Sequence, residues 1–93
     1  MAKLSAYGQQ EVVRVRKVYR SGYRDLRVTL AIMDNGRILR KTQVVNDITG
    51  RYEPGSWKVY RSASNQPTYR TVERLVEAGY VVIRRGGVVV PRR

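Results

Sequence analysis

The pattern that most constrains the fold lies in residues 24–45. From Arg24 to Met33, leucine, valine and isoleucine alternate with other residues, which is the period of a β-strand with one apolar face. Asp34-Asn35-Gly36 follows, and Asn and Gly tolerate the positive φ angles of tight hairpin turns. Residues 37–45 repeat an apolar pattern, so the segment predicts an antiparallel hairpin.

A first strand is predicted upstream of this hairpin, over residues 11–20, where valines and a tyrosine alternate with arginines. Val12, Val15 and Tyr19 also fit the spacing of a helix, so the helical alternative stays open here. Lys17 falls on the apolar side of the strand, which predicts a bulge or a strand end near Arg16.

The downstream half predicts a loop, a short strand, a helix and a second hairpin. Residues 46–56 contain two glycines and a proline and predict the loop, and residues 57–61 the strand. Pro67 is a favoured first helical residue and Gly79 a favoured terminator, which indicates a helix over residues 67–78. Its apolar face consists of Tyr69, Val72, Leu75 and Val76, and residues 80–84 and 88–90 predict the hairpin.

The resulting order, β-β-β-β-α-β-β, indicates an α+β fold, a mostly antiparallel sheet with one helix packed on one face. We expect residues 1–93 to form a single domain, because the chain is short and no linker divides it. The expected core includes Leu30, Trp57, Val72 and Leu75.

The strongest functional signal in the composition is a net charge of +12. Residues 1–45 contribute +7 and residues 46–93 contribute +5, so the charge is spread through the fold. Such a field attracts polyanions, which makes DNA, RNA and acidic protein surfaces the expected partners. A membrane surface is not expected, because no long helix combines a basic and an apolar face.

Catalytic chemistry is not expected. The chain has no His and no Cys, which removes the common general base and the usual zinc ligands. The seven acidic residues are scattered along the chain, and no cofactor or metal is expected. The polar N-terminus and the absence of cysteine favour the cytoplasm.

Two groups of residues are candidates for contacting nucleic acid. If the helix covers the apolar side of the sheet, several arginines share the other side, together with Arg40 or Lys41 depending on the hairpin register. The predicted phosphate contacts are Arg14, Arg16, Arg20, Arg27, Lys41, Arg84 and Arg85, and the predicted stacking residues are Tyr23 and Tyr52. The alternatives are a solvated charged face and tyrosines at the margin of the core.

Residues 71–88 resemble the last helix and wing of winged-helix DNA-binding proteins. That family has two further helices upstream, where this chain predicts strands. The outer face of the predicted helix also balances Arg70 and Arg74 against Glu73 and Glu77, which a helix that enters a DNA groove does not favour. An OB-fold order is similar too, except for the additional strand at Trp57.

The opening Leu4-Ser5-Ala6-Tyr7-Gly8-Gln9-Gln10-Glu11 and the later Ser56-Trp57-Lys58-Val59-Tyr60 resemble small proteins of tailed bacteriophages and prophages. Those proteins start with Leu-x-Ala-Tyr-Gly-x-x-Glu and carry a Trp-Lys strand after a Gly-rich loop. The resemblance implies a phage origin and a location in the host cytoplasm, and it assigns no activity.

Two functions follow from the sequence. The first is a small basic nucleic-acid-binding accessory protein that contacts backbone phosphates with little sequence specificity. The alternative is a protein-binding module that docks on an acidic host protein and inhibits or modulates a host nucleic-acid enzyme, or that serves in phage assembly.

Overall fold

A computed structural model describes residues 10–22 and 24–85 of the protein. Its elements are β1 (Glu11–Ser21), β2 (Arg24–Met33), β3 (Ile38–Val44), β4 (Lys58–Arg61), α1 (Thr68–Glu77) and β5 (Val81–Arg85). The strands form one sheet in the order β4-β3-β2-β1-β5, with neighbouring strands antiparallel. The predicted α+β class is confirmed, and the strand predicted over residues 88–90 lies outside the described residues.

The β2–β3 hairpin turns at the predicted Asp34-Asn35-Gly36. Gly36 has a φ of 85°, in the left-handed region that glycine adopts readily. The amide of Met33 donates to the Arg37 carbonyl at 2.8 Å, and the Arg37 amide donates to Asn35 Oδ1 at 3.0 Å. This turn fixes the register of the two strands.

The main core lies between the sheet and α1. Val72 and Leu75 of α1 pack against buried residues of the first three strands. These buried residues are Val13, Val15, Val28, Leu30, Ile32 and Ile38. The prediction that Val76 also faces the core is wrong, because its side chain is 49% exposed. Val76 follows Leu75 by one position and is therefore rotated by about 100° around the helix axis.

A second apolar cluster lies on the opposite face of the sheet. Ala31, Met33 and Leu39 are buried there, and Trp57 packs against them while remaining half-buried. Of the four residues expected to be buried, Leu30 is fully buried, whereas Trp57, Val72 and Leu75 are partly buried against the two apolar clusters. The segment before β4 carries the indole ring to the face that α1 does not cover.

Residues 11–21 form one strand, so the helical alternative for this segment is wrong, and so is a strand end near Arg16. Its pairing with β5 is irregular between Arg14 and Val15. Lys17 is accommodated on the helix side because its ammonium donates to the Ala78 carbonyl at 2.8 Å, just beyond the end of α1. Strands precede α1, as the sequence predicted, and not the helices of a winged-helix protein.

No helix in the described ranges is long and apolar enough to cross a lipid bilayer.

Candidate nucleic-acid interface

Four of the predicted cations, Arg14, Arg16, Arg27 and Lys41, lie close together on the sheet face opposite α1, and we call this cluster the basic face. Cross-strand partners project from the same side of a sheet. Thr29 of β2 lies between Arg16 of β1 and Lys41 of β3, and the neighbouring positions bring in Arg14 and Arg27. The register therefore selects Lys41 for this face and places Arg40, the alternative in the sequence, on the helix side.

Two arginines of the basic face are held by neutral partners. Arg16 Nε donates to Thr29 Oγ1 at 3.2 Å, and Arg27 Nε donates to Gln43 Oε1 at 3.0 Å. Gln43 is itself fixed, because its Nε2 donates to the Glu53 carbonyl at 3.2 Å. These bonds orient both guanidinium groups through Nε and leave their positive charges without a neutralising anion in the bonds described.

Crowding on the basic face changes its electrostatics. Burial lowers the pKa of the Arg16 guanidinium, and the neighbouring charges of Arg27 and Arg14 lower this pKa further. Burial likewise lowers the pKa of the Lys41 ammonium, and repulsion from Arg14, Arg16 and Arg27 adds to the effect. The protein thus holds like charges together at a cost in free energy.

One carboxylate lies at the end of the basic face next to β5. Glu11 Oε1 accepts hydrogen bonds from Arg14, at 2.6 Å from Nη2 and 3.1 Å from Nε. Its other oxygen lies 3.8 Å from the Nε of Arg84, which is the β5 neighbour of Arg14. Arg14 and Arg84 are therefore partly neutralised, whereas the ion pairs described do not include Arg16, Arg27 or Lys41.

Two aromatic side chains lie among these cations. The guanidinium carbon of Arg27 is 4.2 Å from the ring centroid of Tyr52. The Trp57 ring lies 5.3 Å from the guanidinium carbon of Arg14 and 4.9 Å from Nζ of Lys41. All three contacts are within the range of cation–π attraction.

The loop after β3 brings both aromatic rings to this face. Asn46 Oδ1 accepts from the amides of Ile48 and Thr49, which closes a turn, and Tyr52 then bridges back to Val45. Gly55 lies so close to β3 that a Cβ atom there would be 2.7 Å from the Thr42 carbonyl oxygen. The absence of a side chain at Gly55 thus allows the segment that carries Trp57 to lie against β3.

The remaining predicted residues are not brought into this cluster. Arg20 lies at the far end of β1, is 71% exposed and pairs with Asp25 at 3.5 Å. Arg85 is the register partner of the core residue Val13, so it projects toward the helix side. The irregularity in the β1–β5 pairing determines which β5 side chains project to each face. Tyr23 lies outside the described residues.

The sequence analysis missed Trp57, Thr29 and Gln43 as members of the site. The sequence offered one signal for Trp57, the glycine two positions before it, since glycine allows a close approach to another strand. Thr29 and Gln43 gave no signal, because their role depends on cross-strand register. No three acidic side chains within residues 10–22 and 24–85 come together to hold a metal ion.

The chain matches no protein-family model, no curated protein and no solved structure. Its function is therefore argued from the geometry of the basic face.

Proposed function

We propose that the protein is a non-enzymatic nucleic-acid-binding accessory protein whose basic face contacts backbone phosphates with little sequence specificity. The observation that carries the proposal is the crowding of Arg16, Arg27 and Lys41 on one face. The guanidinium groups of Arg16 and Arg27 donate hydrogen bonds to neutral acceptors. Repulsion among these charges raises the free energy of the folded protein. A bound polyanion relieves that repulsion, which favours a ligand with closely spaced negative charges.

The geometry of the anchors suits phosphate. A guanidinium group fixed through Nε presents its two Nη groups in a planar fork, and such a fork matches two oxygens of one phosphate. Contacts to backbone phosphate position a protein on nucleic acid and carry no direct sequence information. This is why the proposed specificity is low.

An acidic protein surface remains the alternative partner, on a host nucleic-acid enzyme or within a phage assembly. The aromatic rings of Tyr52 and Trp57 beside the cations support nucleic acid instead, because bases stack on such rings while cations follow the backbone. The phage origin and the cytoplasmic location stay predictions.

Salt-dependent binding of labelled oligonucleotides tests the proposal. If three or four phosphates are neutralised, a plot of log affinity against log salt concentration should have a slope of roughly −2 to −4. The absence of binding to both DNA and RNA at ~50 mM salt contradicts the proposal and leaves the acidic protein as the candidate partner.

A pair of charge-matched double variants locates the interface. Arg16→Gln with Arg27→Gln removes two anchored cations of the basic face, whereas Arg40→Gln with Lys58→Gln removes two exposed cations elsewhere. We expect the first variant to lose at least roughly 100-fold in affinity, since each charged hydrogen bond contributes about 1.5–3 kcal/mol. We expect the control to lose only a few-fold, through long-range attraction alone. Equal losses in the two variants place the binding surface elsewhere.

A further inference from the structure

We infer that the nucleic acid bound by the basic face is single-stranded, with Arg27–Tyr52 and Trp57 as stacking positions. This inference rests on the proposed function and names its substrate class. Its basis is the guanidinium of Arg27, which lies 4.2 Å from the Tyr52 ring centroid, together with the Trp57 ring, which lies near both Arg14 and Lys41.

Arg27 is held from several directions. The Tyr52 ring supports the guanidinium plane, Gln43 accepts from Nε at 3.0 Å, and the Glu53 carbonyl fixes Gln43 at 3.2 Å. A guanidinium group stacked on a ring presents a second planar surface, on which an unpaired base can stack. The Nη groups at the edge of the same plane can then bind the adjoining phosphate. One residue pair thus provides both contacts that a single strand offers.

Trp57 provides the second position. The guanidinium carbon of Arg14 lies 5.3 Å and Nζ of Lys41 lies 4.9 Å from its ring centroid, so cations lie next to an aromatic ring here as well. Lys41 lies beside Trp57, and Gln43 accepts the hydrogen bond from Arg27. These two residues are two positions apart on β3, which places the two stacking positions about 7 Å or more apart along the sheet. The face therefore offers more than one stacking position along a single strand.

A duplex makes poor use of this surface. Its bases are stacked on one another inside the helix, so only groove edges and phosphates are available to a protein. The major groove admits a protruding helix or a two-stranded ribbon, which can reach the base edges. Within the described residues, α1 packs on the other side of the sheet, and the basic face consists of side chains on three adjacent strands and the segment beside them.

Titration with matched oligonucleotides tests the inference. DNA and RNA single strands of about 12 nucleotides are compared with the duplexes of the same sequence, which carry more charge. Trp57 is the only tryptophan, so its fluorescence reports on the site directly. We expect tighter binding of the single strands despite their lower charge, with a saturable change of Trp57 emission.

Tyrosine variants then separate stacking from charge. Tyr52→Leu is expected to weaken single-strand binding roughly tenfold, because a base–aromatic stack contributes about 1–3 kcal/mol, and to leave the salt slope unchanged. Tyr52→Phe keeps the ring and should bind more tightly than Tyr52→Leu. The matched control is Tyr60→Leu, which removes an exposed tyrosine next to Arg40 on the helix side. Circular dichroism of each variant checks that the sheet is formed.

Each outcome has a distinct meaning. Equal or tighter duplex binding, or equal losses for Tyr52→Leu and Tyr60→Leu, overturns the single-strand inference while the proposed function stands. Failure of every oligonucleotide to bind overturns the proposed function itself.

Discussion

Arg16 and Lys17 are neighbours in β1, yet they project from opposite faces of the sheet into different surroundings. The ammonium of Lys17 donates to the Ala78 carbonyl at the end of α1 and lies 5.8 Å from the Tyr80 ring centroid. The guanidinium of Arg16 bonds a threonine hydroxyl and is surrounded by other cations. The first cation is used within the fold, whereas the second has a neutral acceptor and neighbouring cations, and the proposed function assigns it to an external anion.

The same contrast extends to the other cations of the two faces. On the helix side, Arg61 Nη2 donates to the Gly36 carbonyl at 3.0 Å and to Thr71 Oγ1 at 3.4 Å, which joins the hairpin turn to α1. On the basic face, Arg27 and Lys41 lie against aromatic rings in the company of like charges. Net charge therefore does not distinguish cations that are used within the fold from cations of the basic face. The two kinds differ in the groups that surround each cation.

Single substitutions of Arg61 and Arg27 test the contrast with the largest expected effects. Arg61→Gln should lower the free energy of unfolding by about 1–3 kcal/mol, because the buried carbonyl and hydroxyl lose a charged donor. Arg27→Gln should instead weaken nucleic-acid binding roughly tenfold, because it removes one charged hydrogen bond to phosphate. Urea denaturation and oligonucleotide titration of both variants provide the two measurements.

Each of these variants is the control for the other. If Arg61→Gln weakens binding by the folded protein as much as Arg27→Gln does, the assignment of stability to the helix-side cation and of binding to the basic-face cation is wrong. The same conclusion follows if Arg27→Gln is the more destabilising of the two.

Much of the fold could be predicted because local patterns coincide with tertiary burial. β2 spans the same residues, Arg24–Met33, as the alternating pattern, and the turn falls at the predicted Asp34-Asn35-Gly36. The sharing of one face by Arg14, Arg16 and Arg27 follows from the same alternation. These features depend on neighbouring residues alone.

Other features of the site depend on register and could not be predicted. Whether Arg40 or Lys41 joins the basic face is decided by the β2–β3 turn, which pairs Ile32 with Ile38. The side to which Arg85 projects is decided by one irregular position between β1 and β5. A shift of one residue reverses the face of every later side chain, and nothing in the local sequence reveals such a shift.

Removal of the Lys17 ammonium should have a smaller effect on stability. Lys17→Met keeps the apolar stem against the sheet and removes the charge that interacts with the carbonyl end of α1. We expect the free energy of unfolding to fall by about 0.5–1 kcal/mol, since cations near a helix C-terminus contribute this much. Lys58→Met removes the same charge from an exposed position of β4 and should change stability by less than about 0.5 kcal/mol. Equal effects in thermal and urea unfolding contradict the assigned role of Lys17.

The smallest expected effect has the opposite sign and concerns Lys41. Its pKa in the folded protein lies below the ordinary value of 10.5, because burial and the charges of Arg14, Arg16 and Arg27 disfavour the ammonium form. Between these two pKa values the unfolded chain binds more protons, so the contribution of Lys41 to stability improves as pH rises through this interval. At neutral pH Lys41 is charged in both states, and its full destabilising contribution is present.

Lys41→Met should therefore stabilise the protein at pH 7, by about 0.5 kcal/mol or less because partly exposed charges are screened. The methionine also keeps a thioether against Trp57, which limits the loss of the cation–π contact. Urea unfolding of both proteins should show the difference shrinking as pH approaches 10.5. Because the two chains share every tyrosine, the titration of those hydroxyls largely cancels in the difference.

The same variant should bind nucleic acid more weakly, since the charge that destabilises the free protein is the charge that phosphate needs. A variant that is less stable at pH 7, or a difference that widens with pH, indicates that Lys41 is used within the fold in the way that Lys17 is.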